Sequence, residues 1–379
     1  MPSGASGQAG ASLLRLFLGG DVMTGRGIDQ VLPRPGDPRL FEPNVRTARD
    51  YVALAEAKNG PIPQPADYAY VWGDALGVLD GVAPDARIVN LETSVTTSSE
   101  RWRGKPIHYR MHPDNVACLR AARIDCCALA NNHVLDWGVA GLHETVKTLR
   151  GAGIATAGAG RELEEATAPA ILTGGPSGRV LVFGLGTESS GIPRAWAAAA
   201  GRPGVHLLPD LSVETVRRLA RQVERVKGKS DVVVASIHWG GNWGYAVSHE
   251  EREFAHGLIE EAGVDVIHGH SSHHPKGMEV HRGRLILYGC GDFLNDYEGI
   301  SGYEDFRSDL VLMYLPTIDR ADGRLARFHL VPLQIRRFRL HRASRADAEW
   351  VRCTLNRTSE PYGTRVDRGP DDTLTVRWG

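Results

Sequence analysis

The chain has 379 residues, 42% of them apolar, 23% charged and 7% aromatic, which is the make-up of a protein with a sizeable packed core and excludes both a disordered chain and a disulfide-stapled miniprotein. Forty-four Lys and Arg stand against forty-five Asp and Glu, a net charge of −1, so no global field exists to hold a polyanion and nucleic acid is not an expected partner. The five cysteines, at 118, 126, 127, 290 and 353, form no C-x-x-C pair, the usage of a reducing compartment, and they exclude an all-thiolate structural metal site.

Residues 1–12 are rich in Gly, Ser and Ala without a basic start and read as a flexible N-terminus. The apolar run after them is broken by Arg15, so it is no secretory segment, and no stretch approaches the roughly 20 apolar residues of a membrane span. As written, the chain is expected to be cytoplasmic. From 14 onward, short runs rich in Val, Ile and Leu recur at 14–18, 86–90, 124–129, 180–185, 232–237, 264–267 and 285–288. Such runs predict strands buried on both faces. Cys126 and Cys127 fall inside one of them and read as buried thiols.

Amphipathic helices are predicted between the strands, at 140–151, at 212–226 with Ser212 as N-cap, and at 248–262. A proline-rich segment, 33–69, interrupts the rhythm; it is expected to hold one helix, near 46–58, and to lie over an active-site face. After 309 the pattern turns strand-like, at 310–315 and 327–333. The main domain is therefore expected at 13–335. An Arg-rich extension, 336–379, would pack on it, with Arg336, Arg337, Arg339, Arg342 and Arg345 read as a solvated strand edge. Alternation of strands and helices predicts a layered α/β sheet.

Polar residues of metal-ligating type collect at the strand ends, where open α/β sheets place their sites. Asp21, Glu92, Asn132 with His133, His238, and His270 with His273 each follow a separate predicted strand. Two carboxylates, an amide oxygen and several imidazoles suit divalent Mn, Fe or Zn. A pair of such cations needs a bridging carboxylate and supplies a hydroxide for in-line attack.

The motifs Gly20-Asp21-Val22-Met23, Asn90-Leu91-Glu92-Thr93, Ala130-Asn131-Asn132-His133 with Asp136, His238-Trp239-Gly240, Gly269-His270-x-x-His273 and Gly289-x-Gly291-Asp292-Phe293 occur in this order. The ordered set resembles the CapA family, named for poly-γ-glutamate capsule synthesis and part of the calcineurin-like metallophosphoesterase superfamily. The resemblance implies a four-layer α/β/β/α sandwich of two mixed sheets with outer helices, and two metals at one sheet edge. By motif, Asp21 and His273 would ligate a first metal and Asn132, His238 and His270 a second, with Glu92 as bridge and His133 as proton donor. The superfamily's Asp-x-His is here Asp21-Val22-Met23, and its bridging Asp is Glu92, so the first site is expected to hold metal more weakly.

Around this set, Asp136 is expected either to orient His133 or to cap the following helix. Arg26, in Gly25-Arg26-Gly27, is a candidate fork for a phosphate or carboxylate. Asn242, Trp243 and Tyr245 are candidates for a cleft wall, and His108-Tyr109-Arg110 for a further anion contact. His268 and His274 are assigned packing or supporting places, Asp292 and Asn295 a turn that buttresses the metal loops, and His249, His256 and His281 no role. Three functions remain open. The first is a dinuclear hydrolase of a phosphate ester. The second is a metal-dependent amide or γ-glutamyl hydrolase or transferase, and the third a non-catalytic component of poly-γ-glutamate synthesis; the expected partner is a small-molecule or peptide-like anionic substrate.

Overall fold

The computed structural model describes residues 13–173 and 178–379; the N-terminal stretch 1–12 lies outside them. Period-two alternation in the strands decides the architecture. Along Leu13–Val22, the side chains of Leu14, Leu16 and Leu18 share a core with Val180, Val182, Val232, Val234 and Val266, while Phe17 and Val22 join a different core with Ile28, Val52, Trp72 and Leu142. Val233, Ala235 and Ile237 pack instead with Leu219, Phe254 and Leu258 of two helices. Each sheet thus faces the other on one side and helices on the other, the four-layer α/β/β/α sandwich expected.

The larger sheet has ten strands. Leu13–Val22, Ala86–Leu91, Cys126–Ala128 and Ala155–Ala157 run parallel, and Leu310–Asp319 and Leu325–Arg336 continue it antiparallel on the other flank. The six-stranded sheet runs in the order Met278–His281, Arg284–Leu287, Val266–His270, Val232–His238, Arg179–Gly186 and Ala170–Thr173. Residues beyond 336 extend the same larger sheet. Arg339–Arg342 pairs with Leu325–Arg336, Thr364–Arg368 and Leu374–Trp378 form its far edge, and helix Arg345–Ser359 puts Val351 and Leu355 into the core between the sheets.

Local chemistry explains the helix starts. Ser212 accepts from the Thr215 backbone N–H, and Ser248 with Glu251 forms a reciprocal capping box ahead of His249–Glu260. Within the proline-rich segment, helix Arg49–Asn59 buries Tyr51, Val52 and Ala55, which carries one wall of the cleft described below. Cys118, Cys126, Cys127 and Cys290 are buried and free, and Cys353 is exposed; burial pushes the Cys118 thiol up to about 12, which leaves it inert at neutral pH.

One buried histidine outside the site makes the fold acid-sensitive. His206 is 8% exposed, its Nδ1 has no hydrogen-bond partner among the described residues, and burial lowers its pKa to about 4. The folded-state value lies below the ordinary one near 6.5, so the unfolded chain takes up the proton first. The stability held by the neutral ring is therefore complete above about pH 6.5 and is lost as pH falls towards 4. His206→Gln is expected to remove one proton from this dependence, flattening a plot of unfolding free energy by about 1.4 kcal/mol per pH unit across that window. An unfolding free energy, from denaturant titrations at pH 4.5 and 6.5, that changes between the two pH values by the same amount in His206→Gln and in wild type would contradict the assignment.

Candidate metal centre

The inner-face alternation that buries Val232 and Val234 continues to Ser236 and His238, and that of Val266 to His268 and His270. Apolar residues thus give way to donors at the strand ends without any change of face. Parallel pairing sets His238 beside His270 and Asp21 beside both Asn90 and Asp292. Asp21 reaches this face through an irregularity. Gly19 pairs with Val89 but Asp21 pairs with Asn90, so an extra residue is accommodated at Gly20 and the strand's alternation shifts by one. Gly20 lies so close to the Gly291 carbonyl that any Cβ there would collide with it.

Two sets of donor atoms, each within 4.8 Å of one another, meet at Asp21: one with His238 and His270, the other with His273 and Asp292. All five side chains are buried. Nδ1 of His238 and Nδ1 of His270 lie 2.9 Å apart, and His270 Nδ1 is 3.8 Å from Asp21 Oδ1. His273 Nδ1 is 2.8 Å from Asp292 Oδ1. On the other edge of the His238 ring, Nε2 is 3.1 Å from Asn132 Oδ1 and 4.0 Å from Glu92 Oε1. Because an amide oxygen only accepts, His238 Nε2 donates to Asn132, and its Nδ1 presents a lone pair towards His270 and Asp21. The residues chosen from sequence as ligands do converge. Asp21 is the corner common to both sets and Asp292 joins the second of them, while Asn132 and Glu92 lie at the other edge of the His238 ring.

The charges here are poorly compensated by protein. Burial, then Asp292, raises Asp21 to about 7, although His273, Asn90 and the Ser271 N–H pull the other way. Burial and the Asp21 and Asp292 carboxylates push Glu92 well above the ordinary range. Glu92 Oε2 is buried and accepts no hydrogen bond from the described residues, an arrangement that costs about 1–3 kcal/mol unless a partner is supplied. Burial drives His238 and His270 far down, leaving neutral rings suited to ligation. Crowded carboxylates, converging imidazole lone pairs and an orphaned carboxylate oxygen fit divalent cations, and the mixed O/N donors fit the Mn, Fe or Zn class.

His133 stands beside this cluster, with Nε2 3.7 Å from Glu92 Oε1. Its Nδ1 is 2.5 Å from Asp136 Oδ2, and Asp136 also accepts from the Tyr109 N–H and from Lys105 Nζ, each at 2.7 Å. Asp136 therefore orients His133; helix Gly138–Gly151 has no side-chain cap. Lys105, absent from the sequence reading, also donates to the Asn132 carbonyl. It sits in an aperiodic loop, and nothing in its local pattern distinguishes it. Burial lowers His133 to about 4, so the ring is neutral, with Nδ1–H given to Asp136 and Nε2 free to accept.

Arg26 has a structural task. Its guanidinium is buried between the Tyr51 and Tyr109 rings, at 4.0 and 4.3 Å, and donates to Asp296, Glu42 and the Tyr51 hydroxyl. That leaves no open fork for a substrate anion. In the His108-Tyr109-Arg110 segment, Arg110 donates to the Ser98 and Asp37 carbonyls and His108 Nε2 meets the Trp102 carbonyl, which corrects the reading of this segment as an anion contact. His268 lies between Ser236 Oγ and the Gly19 carbonyl, and His274 accepts from the Gly244 N–H, the supporting places expected.

A cleft of about 710 Å³ opens at His273. Its wall includes Arg26, Tyr51 and Tyr109, which pack on one another, and Asn242, Trp243 and Tyr303, with Trp243 and Tyr303 stacked at 4.0 Å. Tyr245 lies behind that wall, against His274. Lys58 and Arg336 stand on the lining, both exposed and neither in an ion pair among the described residues. No helix among the described residues is long and apolar enough to cross a membrane.

Residues 15–297 match the family described as bacterial capsule synthesis protein PGA_cap. A Mycobacterium tuberculosis protein named "Probable polyglutamine synthesis accessory protein" is 50% identical over 365 residues, 96% of each chain. The PGA biosynthesis protein CapA of Bacillus subtilis is 25% identical over 319 residues, 83% of this chain and 70% of that one. A solved structure described as a novel phosphatase from Mycoplasma pneumoniae aligns with 85% of this chain and 94% of its own, at TM-score 0.44 and 9% identity. The family match over most of the length, together with a relative half identical along nearly all of it, establishes that the chain belongs to the CapA, or PGA_cap, family of bacterial capsule synthesis proteins.

Proposed function

We propose that this chain is a metal-dependent hydrolase that holds two divalent cations and cleaves a phosphate ester. The observation that carries the reading is Asp21, shared by two buried donor sets at the head of a cleft, with the unpartnered Glu92 oxygen beside it. Asp21, His238 and His270 would hold one cation, with Asn132 and Glu92 on the far side of His238. Asp21, His273 and Asp292 would hold the other. When bound, such cations lower the pKa of water and offset negative charge developing on a phosphoryl or carbonyl oxygen.

The chain's own groups supply the rest. His133 would accept at Nε2 a proton from the attacking water, whose oxygen bonds to phosphorus, while Asp136 holds Nδ1–H and stabilises the imidazolium that forms; Nε2 then returns the proton to the departing oxygen as the ester bond breaks, leaving an alcohol and a phosphate. Lys105 fixes Asp136. The aromatic walls position the substrate and exclude water from its flanks. A second reading, hydrolysis of a γ-glutamyl or other amide bond in a carboxylate-rich substrate, is favoured by Lys58 and Arg336 on the cleft lining, neither in an ion pair among the described residues, and by the relatives' names. The same proton path serves it.

The test is incubation of the Mn-loaded protein with an aryl phosphate and, separately, with γ-glutamyl peptides read by mass. Metal-dependent release of phenol supports the first reading, and cleaved peptide alone the second. Turnover of neither by fully metallated protein would leave a non-catalytic role in capsule synthesis.

A further inference from the structure

A second cluster of metal-ligating side chains lies outside the cleft, on the outer side of the six-stranded sheet. Strand Met278–His281 is that sheet's edge strand, and Met278 and Val280 face the inter-sheet core. Glu279 and His281, two residues apart, therefore share the opposite face, where helix His249–Glu260 packs. On the helix, His256 and Glu260 are one turn apart and face the strand. His256 Nε2 is 2.9 Å from Glu279 Oε1, and His281 Nε2 is 2.6 Å from Glu260 Oε1. The two imidazoles stack with centroids 3.7 Å apart, and one donor atom each from His256, Glu279 and His281 falls within 4.8 Å of the others.

We propose that His256, His281 and Glu279, with Glu260 as fourth ligand, form a separate binding site for a divalent cation of the imidazole-preferring kind, with Zn2+ as its representative. Three features support it. Donors come in pairs from two rigid elements, a helix turn and a strand, which places them without loop rearrangement. Glu279 is held from behind, its Oε2 accepting from the Tyr288 hydroxyl at 2.6 Å, the kind of supporting contact that orients a ligating carboxylate. The N2O2 set matches Zn2+, Ni2+ or Cu2+ better than Mg2+ or Ca2+, which favour all-oxygen shells. Arg252 and Arg282 also pair with the two carboxylates, so the cation competes with them. Ligation requires the stacked rings to tilt apart, because two parallel ring planes cannot both contain one ion. This site is independent of the hydrolase reading, and its failure would leave that reading untouched.

The experiment is calorimetric titration of chelator-stripped, untagged full-length protein with Zn2+. The Asp21→Asn variant, which removes the donor common to both sets of the candidate centre, should keep one equivalent of Zn2+, and adding His256→Ala/His281→Ala should weaken that equivalent by about tenfold or more. Equal stoichiometry and affinity with and without the His256 and His281 substitutions would overturn the site. Because variants at the buried centre can misfold, wild-type protein provides a second measurement. One equivalent of Zn2+ beyond those filling the centre should protect His256 and His281 from diethyl pyrocarbonate, read by mass, and unprotected rings would equally overturn the proposal.

Discussion

Asp21→Asn is expected to deplete together both cations that the proposed centre would hold, lowering metal affinity on the order of 100-fold or more and abolishing the proposed metal-dependent turnover. His270→Ala and His273→Ala each remove a donor from one set only, whereas Asp21 belongs to both. Elemental analysis after dialysis should accordingly find partial metal content in each histidine variant and almost none in Asp21→Asn. Wild-type content in Asp21→Asn would break the shared-corner assignment. The pH dependence follows from the same carboxylate. Its folded-state pKa, raised to about 7 by burial and by Asp292, lies above the unfolded value near 4. Between these values the chelated fold binds more protons than the unfolded chain, so its stability falls as pH rises from about 4 to about 7 and the penalty is complete above that. Cations compete for the same positions. The gap in unfolding midpoint between metal-loaded and chelated protein should therefore widen through that window.

The strand ends were legible in sequence because the donors follow apolar runs whose period sets their face. Asp21, Glu92, Asn132, His238, His270 and His273 could be named that way, and the structure brings all six to one place. What stayed hidden depends on pairings across the whole chain. Asp292 looks like a turn residue after two glycines, and only its register beside Asp21 reveals it as a donor. Arg26 looks like an open fork because its partner Asp296 is 270 positions away. Helix Arg345–Ser359 escaped notice because arginines cover its exposed side and few apolar positions, Val351 and Leu355 among them, mark the buried one. The layer order was inferred through the family resemblance; apolar runs alone specify buried strands and not which sheet each joins.

His133→Ala is expected to lower turnover by about 10²–10⁴-fold while leaving metal content unchanged. The ring faces Glu92 through Nε2 at 3.7 Å but belongs to neither donor set, and its Nδ1 is committed to Asp136. Its removal therefore deletes a proton carrier without removing a ligand. Asp136→Asn separates orientation from charge. The amide can still accept the Nδ1–H but cannot stabilise an imidazolium, and it sets Lys105 beside a neutral group, so turnover should fall by less than in His133→Ala. Rate measurements with phosphate esters of differing leaving groups supply the discriminating readout. Loss of the proton carrier should penalise a poor leaving group such as an alkoxide far more than a nitrophenolate, which departs without protonation. A uniform loss across leaving groups, or a fall in bound metal, would reassign His133 from proton transfer to support of the metal centre.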